Sequence, residues 1–363
     1  MLYSPVAIPV HAPAYMHIPD GYLSPITCLV MLLLVLPFWY RGIRRMRQTL
    51  TARSVPLIAL LAAFSFIIMM FNVPLPGGTT GHAVGGALAA IILGPEIAVI
   101  PISIALLIQA LLFGDGGILS FGANCFNMAV VLPYVSYAVY KWLGGLRGVS
   151  TTRRSVAAFA GGWVGLTVAS FFAAVEFGIQ PALFHAADGT PLYAPYPLSI
   201  AIPAMVIPHM LIASVVEGLI TALVVAYLTR SNPALLKVST EPQTANEVST
   251  WRRLRWLWVG LIVLALLAPI GLLAAGTAWG EWGADEITEQ PGVTAVPQGL
   301  ETLGSLWNAP LPDYDAPQLG NSNVAYVLSA AVGIILVTIV VWLFAQLLLS
   351  RKPAVKPPVS TQS

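Results

Sequence analysis

Residues 24–47 read SPITCLVMLLLVLPFWYRGIRRMR. From Ser24 to Tyr40 the run carries no charge, and Arg41, Arg44, Arg45 and Arg47 follow at once. An uncharged apolar run of this length reaches the roughly 17–25 residues that a helix needs to cross the hydrocarbon core. A basic cluster at its far end marks the cytoplasmic side, because short cytoplasmic loops collect Lys and Arg. The stretch therefore predicts a membrane helix that enters from outside.

The whole chain agrees. Of its 363 residues 57% are hydrophobic and 9% charged, against about 25% charged in soluble proteins, and the mean hydropathy is +0.81. The fold expected is all-α and polytopic. Further spans are expected near 55–72, 96–113, 121–142, 155–178, 198–228, 256–276 and 323–349, with a shorter segment at 82–94. That gives a seven-segment unit followed by a two-span unit.

The basic residues test this count. Lys141, Arg147, Arg153 and Arg154 follow the fifth segment, Arg230, Lys237, Arg252, Arg253 and Arg255 the seventh, and Arg351, Lys352 and Lys356 the ninth. With Arg41 to Arg53 they all fall on one side if the N-terminus is outside and the C-terminus inside. Omitting 82–94 as a crossing, or folding 82–113 back as a hairpin, would put Lys141 to Arg154 opposite Arg41 to Arg53.

Other classes lack their minimal residues. A net charge of +2 implies no nucleic-acid partner. There is no CxxC, no HExxH and no phosphate loop ending in Lys, so an energy source must be another subunit. Cys28 and Cys125 fall inside spans, where they read as packing.

Five parts are expected: an N-terminal extension 1–15 absent from the mature protein, a membrane domain 16–229, a cytoplasmic linker 230–255, a two-span domain 256–350 and a cytoplasmic tail 351–363. The second domain carries an external loop 277–323 with Glu281, Asp285, Glu286, Glu289, Glu301, Asp313 and Asp315 and no basic residue. It reads as a solvated ectodomain, with a short amphipathic helix within 296–307 on the membrane or against the first domain.

The chemistry gathers at the outer ends of the first spans. In Met16-His17-Ile18-Pro19-Asp20-Gly21 a histidine follows a methionine. If the mature chain begins at Met16, its α-amine and the His17 amide nitrogen close a five-membered chelate ring, and the His17 imidazole closes a six-membered one. In Pro74-Leu-Pro76-Gly77-Gly78-Thr79-Thr80-Gly81-His82 the prolines force a loop and the glycines allow its turns, placing His82 at the start of the next helix. A lone loop histidine more often caps a helix, but two on one face can complete a four-nitrogen plane. Such a plane suits Ni²⁺, Cu²⁺ or Co²⁺ and disfavours Mg²⁺, Ca²⁺ and tetrahedral Zn²⁺.

MHIPDGYLSP, PLPGGTTGHAVGGALAAIILGPE and LLIQALLFGDGGILSFGANCFNM together resemble the CbiM/NikM family, the cobalt- and nickel-capturing S-components of energy-coupling-factor (ECF) transporters. The resemblance covers 16–227. It implies that Met16 supplies its amine, His17 its amide and imidazole nitrogens, and His82 its imidazole. The ion, Co²⁺ or Ni²⁺, is then the transported substrate, with no organic cofactor. Partners implied are a transmembrane coupling protein (T-component), cytoplasmic ATPases (A-components) and the lipid bilayer of a prokaryotic cell membrane. The residues 276–283, GTAWGEWG, give a weaker similarity to the CbiN/NikN or PDGLE-type auxiliary subunit. Different readings, a membrane metalloenzyme or a metal sensor, lack a placed general base, Asp20 being the only close carboxylate, or lack a signalling domain.

Remaining polar residues are expected as support. Asn124, Asn127, Gln109 and Asp115 are candidates to orient the imidazoles or to bond between helices. Glu217 reads as a structural hydrogen bond or a coupling-protein contact, Glu176 as lying nearer the outer surface, His209 as packing and His185 as a loop residue. His11 could enter the site only if the extension persists.

Overall fold

The computed structural model describes residues 17–52, 54–76, 79–144, 150–237, 250–274, 277–284 and 286–350. Met16, the extension 1–15 with His11, Arg53, Gly77, Gly78, residues 145–149 with Arg147, residues 238–249 of the linker, residues 275–276, Asp285 and the tail 351–363 lie outside the described residues.

Seven helical segments precede residue 232: α1 Pro25–Thr49, α2 Val55–Met69, α3 Gly86–Leu93, α4 Pro95–Phe113, α5 121–142, α6 Thr151–Gly178 and α7 Leu198–Ser231. Two more follow, α8 Thr250–Leu267 and α9 Ser322–Ser350. Six of these segments are long and apolar enough to cross a membrane, and α2 is a shorter apolar helix. The helices start where their sequences direct. Ser24 accepts from the Thr27 amide at 3.1 Å with Pro25 in the first turn of α1, and Ser150 does the same for Arg153 at 3.3 Å in α6.

One segment departs from expectation. Instead of spanning 82–94, the third helix holds only eight residues, about 12 Å of rise against a core of about 30 Å. Gly94, with φ of 85°, ends it in a conformation that a Cβ would disfavour. All eight residues are buried, so α3 lies within the bundle, led into by the strand residues 79–81 and a loop that ends in the left-handed Gly85.

The outer surface is apolar where lipid would lie. On α1 Ile26, Leu29, Leu33 and Leu36 are exposed, and on α9 Ile335, Ile339, Leu343 and Leu347. Inside, small residues let helices approach. A Cβ on Gly161 would meet the Ser136 carbonyl at 2.7 Å, and one on Gly162 would lie 3.0 Å from Gly218, so α6 lies close against α5 and α7. The C-terminal unit docks through α9 onto α2: Gly333 faces the Phe66 ring, and the Tyr326 hydroxyl donates to the Met70 carbonyl at 2.9 Å.

The loop expected to be solvated is exposed along much of its length but packed in part. Trp282, Ile287, Leu300 and Tyr314 are buried. The short helix Gln298–Leu303 falls within the expected 296–307 and lies against the first domain, since the Gly299 amide donates to Leu192 at 2.7 Å and the Trp307 indole donates to Leu111 at 2.9 Å. Glu286 accepts from the Thr277 hydroxyl and the Gly283 amide, so it closes a turn within the loop. Cys28 and Cys125 are free and buried, as packing requires.

Candidate metal centre

Two loops meet at one end of the bundle, each held by main-chain hydrogen bonds. The first is 17–20. Asn124 clamps Ile18 from both sides, accepting from its amide at 3.0 Å and donating to its carbonyl at 3.1 Å. That carbonyl also receives the Gly117 amide at 3.0 Å and the Ser120 hydroxyl. Asp20 accepts from the amides of Ile118, Leu119 and Ser120 at 2.9, 2.8 and 3.1 Å. Burial pushes its carboxyl above the ordinary range, and the three amides offset only part of that. Asp20 is thus a tether of the 114–120 turn.

The turn can close this tightly because residue 117 has no side chain. A Cβ there would lie 1.9 Å from Asp20 Oδ1 and 2.4 Å from the Asp20 amide nitrogen, so the backbone itself must move. Gly117→Ala is expected to lower the thermal unfolding midpoint in detergent by several degrees, a loss on the order of 2 kcal/mol, and to weaken nickel binding. Differential scanning calorimetry on the ion-free protein checks it, and an unchanged midpoint would show that the turn is not packed as described.

The second loop is 79–85. Strand β1, Val73–Leu75, pairs antiparallel with β2, Thr79–Gly81, and His82 follows. Glu217 of α7 accepts from the amides of Val84 and Gly85 at 2.8 Å each and of Ala87 at 3.1 Å. Of the two roles expected for Glu217, the structural hydrogen bond is the one observed. The Ser65 hydroxyl donates to the Val84 carbonyl at 2.7 Å. His82 therefore sits on a loop fixed at the start of α3.

The two histidines come together. His17 and His82 are 2% and 8% exposed, and their ring centroids are 5.1 Å apart with planes at 85°. His17 Nδ1 donates to Asp115 Oδ1 at 3.0 Å, and its buried Nε2 has no hydrogen-bond partner. His82 Nδ1 lies 3.1 Å from the Ala83 carbonyl, a contact that orients the ring. Burial alone would raise the Asp115 carboxyl, but the charge and hydrogen bond of His17 hold it below the usual carboxylate range. Asp115 also accepts from the Tyr314 hydroxyl, which in turn accepts from Gln109 at 3.0 Å.

Both imidazoles line a cavity of about 60 Å³ shared with Asn124, Asn127, His209 and Glu281. Asn127 donates to Glu176 at 3.0 Å, which ties α5 to α6 behind the wall. Among the described residues no three His, Cys, Asp or Glu side chains form a cage. A nitrogen-only set therefore needs backbone nitrogen beside the two imidazoles.

Of the expected supports, Asp115 and Asn124 touch His17 and its neighbour directly, Asn127 lines the cavity, and Gln109 acts through Tyr314. His185 is exposed, as a loop residue would be. His209, expected to pack, is in the cavity wall, with Nδ1 2.8 Å from the Met205 carbonyl. Tyr314 and Glu281 had no signal in the first domain's pattern. The only hint in sequence is the density of aromatic and acidic residues in 277–323.

Against known proteins, the family profile described as cobalt uptake substrate-specific transmembrane region matches residues 17–235, and the PDGLE domain matches 253–350. The fused nickel transport protein NikMN of Rhodobacter capsulatus is 51% identical over 337 residues, covering 89% of this chain and 95% of that one. The probable fused nickel transport protein LarMN of Lactiplantibacillus plantarum is 41% identical over 328 residues, covering 88% and 95%. A crystal structure described as a truncated transition metal transporter is 50% identical, with a TM-score of 0.56 over 59% of this chain and 98% of its own.

Proposed function

Because the chain belongs to the CbiM family, with a PDGLE domain fused behind it, we propose that it captures Ni²⁺ or Co²⁺ for an ECF-type importer. It is a multi-pass membrane protein of prokaryotic cells, and its class is metal transport. Met16 gives its amine, His17 its amide and imidazole nitrogens, and His82 its imidazole, on the outer face of the membrane. The capture domain is 16–229, joined by 230–255 to the two-span domain 256–350.

The observation that carries this reading is the approach of His17 and His82, far apart in sequence, across one small cavity. Nitrogen donors select borderline transition ions over Mg²⁺ and Ca²⁺, which prefer oxygen. In the arrangement described, His17 Nδ1 is engaged by Asp115. Closing the six-membered ring through Nδ1 therefore means that the ion displaces this hydrogen bond, which leaves the carboxylate next to a dication. The carboxylate then compensates part of the ion's charge in a buried site.

A tight nitrogen clamp does not release its ion by thermal motion alone. Release inward is supplied by a coupling protein and two cytoplasmic ATPases acting on the capture domain. The test is uptake of radioactive nickel or cobalt by cells that express the chain with the coupling protein and the ATPases. Uptake is expected to fall to a basal level when the ATPases are deleted, and uptake that continues unchanged would overturn the coupled scheme.

A further inference from the structure

Glu281 belongs to the second domain yet reaches the metal cavity of the first. It is 5% exposed and lines that cavity with His17, His82 and His209, and its Oε2 has no hydrogen-bond partner. Its place is fixed by the next residue, whose carbonyl receives the Tyr22 hydroxyl at 2.9 Å. The neighbours in sequence face another space. Trp282, Gly283 and Ala284 line a second cavity of about 460 Å³ together with Asp20, Glu301 and Asp313. Residues 281–284 are thus a partition, with an acidic chamber on one side and the two imidazoles on the other.

A carboxylate buried in protein is costly unless a cation meets it. Among the described residues no basic side chain pairs with Glu281. A hydrated dication arrives with oxygen ligands, and carboxylate oxygen replaces water more readily than a nitrogen plane can be assembled in one step.

Resting on the assignment of His17 and His82 as ligands, we propose that Glu281 is the first group of the metal cavity to contact the ion, holding it by carboxylate oxygen and passing it to the histidines. The second domain then supplies a metal-contacting residue and sets the rate of loading.

The experiment is stopped-flow loading of Ni²⁺ into purified protein that begins at Met16 and keeps both domains, read as loss of metal from a colorimetric indicator. Glu281→Gln keeps the shape of the side chain and is expected to leave the ion-free unfolding midpoint in place. Loading is expected to slow by about tenfold or more, the scale on which local charge steers a small ion, and to lose its dependence on ionic strength. His17→Ala serves as reference and is expected to block loading. If Glu281→Gln loads at the wild-type rate while His17→Ala does not load, the role of Glu281 is refuted and the histidine assignment stands. If His17→Ala loads normally, the underlying assignment fails first. Should Glu281→Gln not fold, Glu281→Asp decides, since it draws the carboxylate back by one methylene: slower loading supports the role and unchanged loading overturns it.

Discussion

His17→Ala, made in protein whose first residue is shown to be Met16 by N-terminal sequencing, is expected to weaken nickel binding by at least about a hundredfold, or about 3 kcal/mol. Removing a hydrogen-bond partner of a metal-ligating histidine already costs about 10–100-fold, and here the ligand itself goes. The substitution also ends the six-membered chelate ring and takes from Asp115, which is 3% exposed, the first of the groups that lower its acid, leaving it the Tyr314 hydroxyl. Isothermal titration with Ni²⁺ and with Co²⁺ measures the effect. Affinity within threefold of wild type would remove His17 from the site and leave its 5.1 Å approach to His82 as packing.

Glu217→Ala is the second large effect, and it acts through the fold. The Glu217 carboxylate, 0% exposed, is the common acceptor for the Val84, Gly85 and Ala87 amides. An unsatisfied buried amide costs about 1–3 kcal/mol, and a negative group at a helix N-terminus contributes about 0.3–2 kcal/mol. Allowing for relaxation, the loss is on the order of 4 kcal/mol, a large share of the stability of an ordinary domain. Because α3 carries the His82 loop at its start, nickel affinity should fall with stability. Glu217→Gln retains one acceptor and should lose less. An unfolding midpoint unchanged in Glu217→Ala would show that the loop is held by something else.

Much of the architecture is legible in sequence because in lipid the rules are few. Uncharged runs of fixed length make helices, and the placement of Arg and Lys fits their order, so every expected segment except the second, which ends at Asn72 and Pro74, is found where an apolar run ends in a basic cluster or glycine. The pair His17 and His82 is legible for a related reason, since both sit in glycine- and proline-marked loops at the same end. The length of the third segment is not, because an apolar run does not tell a spanning helix from one that begins only after an extended lead.

Less legible are features that depend on geometry within a helix or between distant segments. Three π turns, Gln109–Phe113, Cys125–Val131 and His209–Ala213, turn side chains away from their α-helical positions. Two of them carry Asn127 and His209 into the cavity wall, and the third carries Gln109 to Tyr314. The acidic loop reads as solvated because it has no basic partner, but Glu286 satisfies itself on Thr277 and Gly283. Tyr314 and Glu281 reach the site only because this loop docks on the first domain.

The Tyr314 bond to Asp115 joins two units that one chain holds together. A separate subunit would have to find this place by diffusion, and its occupancy would fall as the complex is diluted. A covalent tether replaces that search with an effective concentration set by the linker, of about millimolar order for short flexible connections. The outer support of His17 is therefore present at fixed one-to-one stoichiometry whatever the expression level, and dilution in the membrane cannot strip it away.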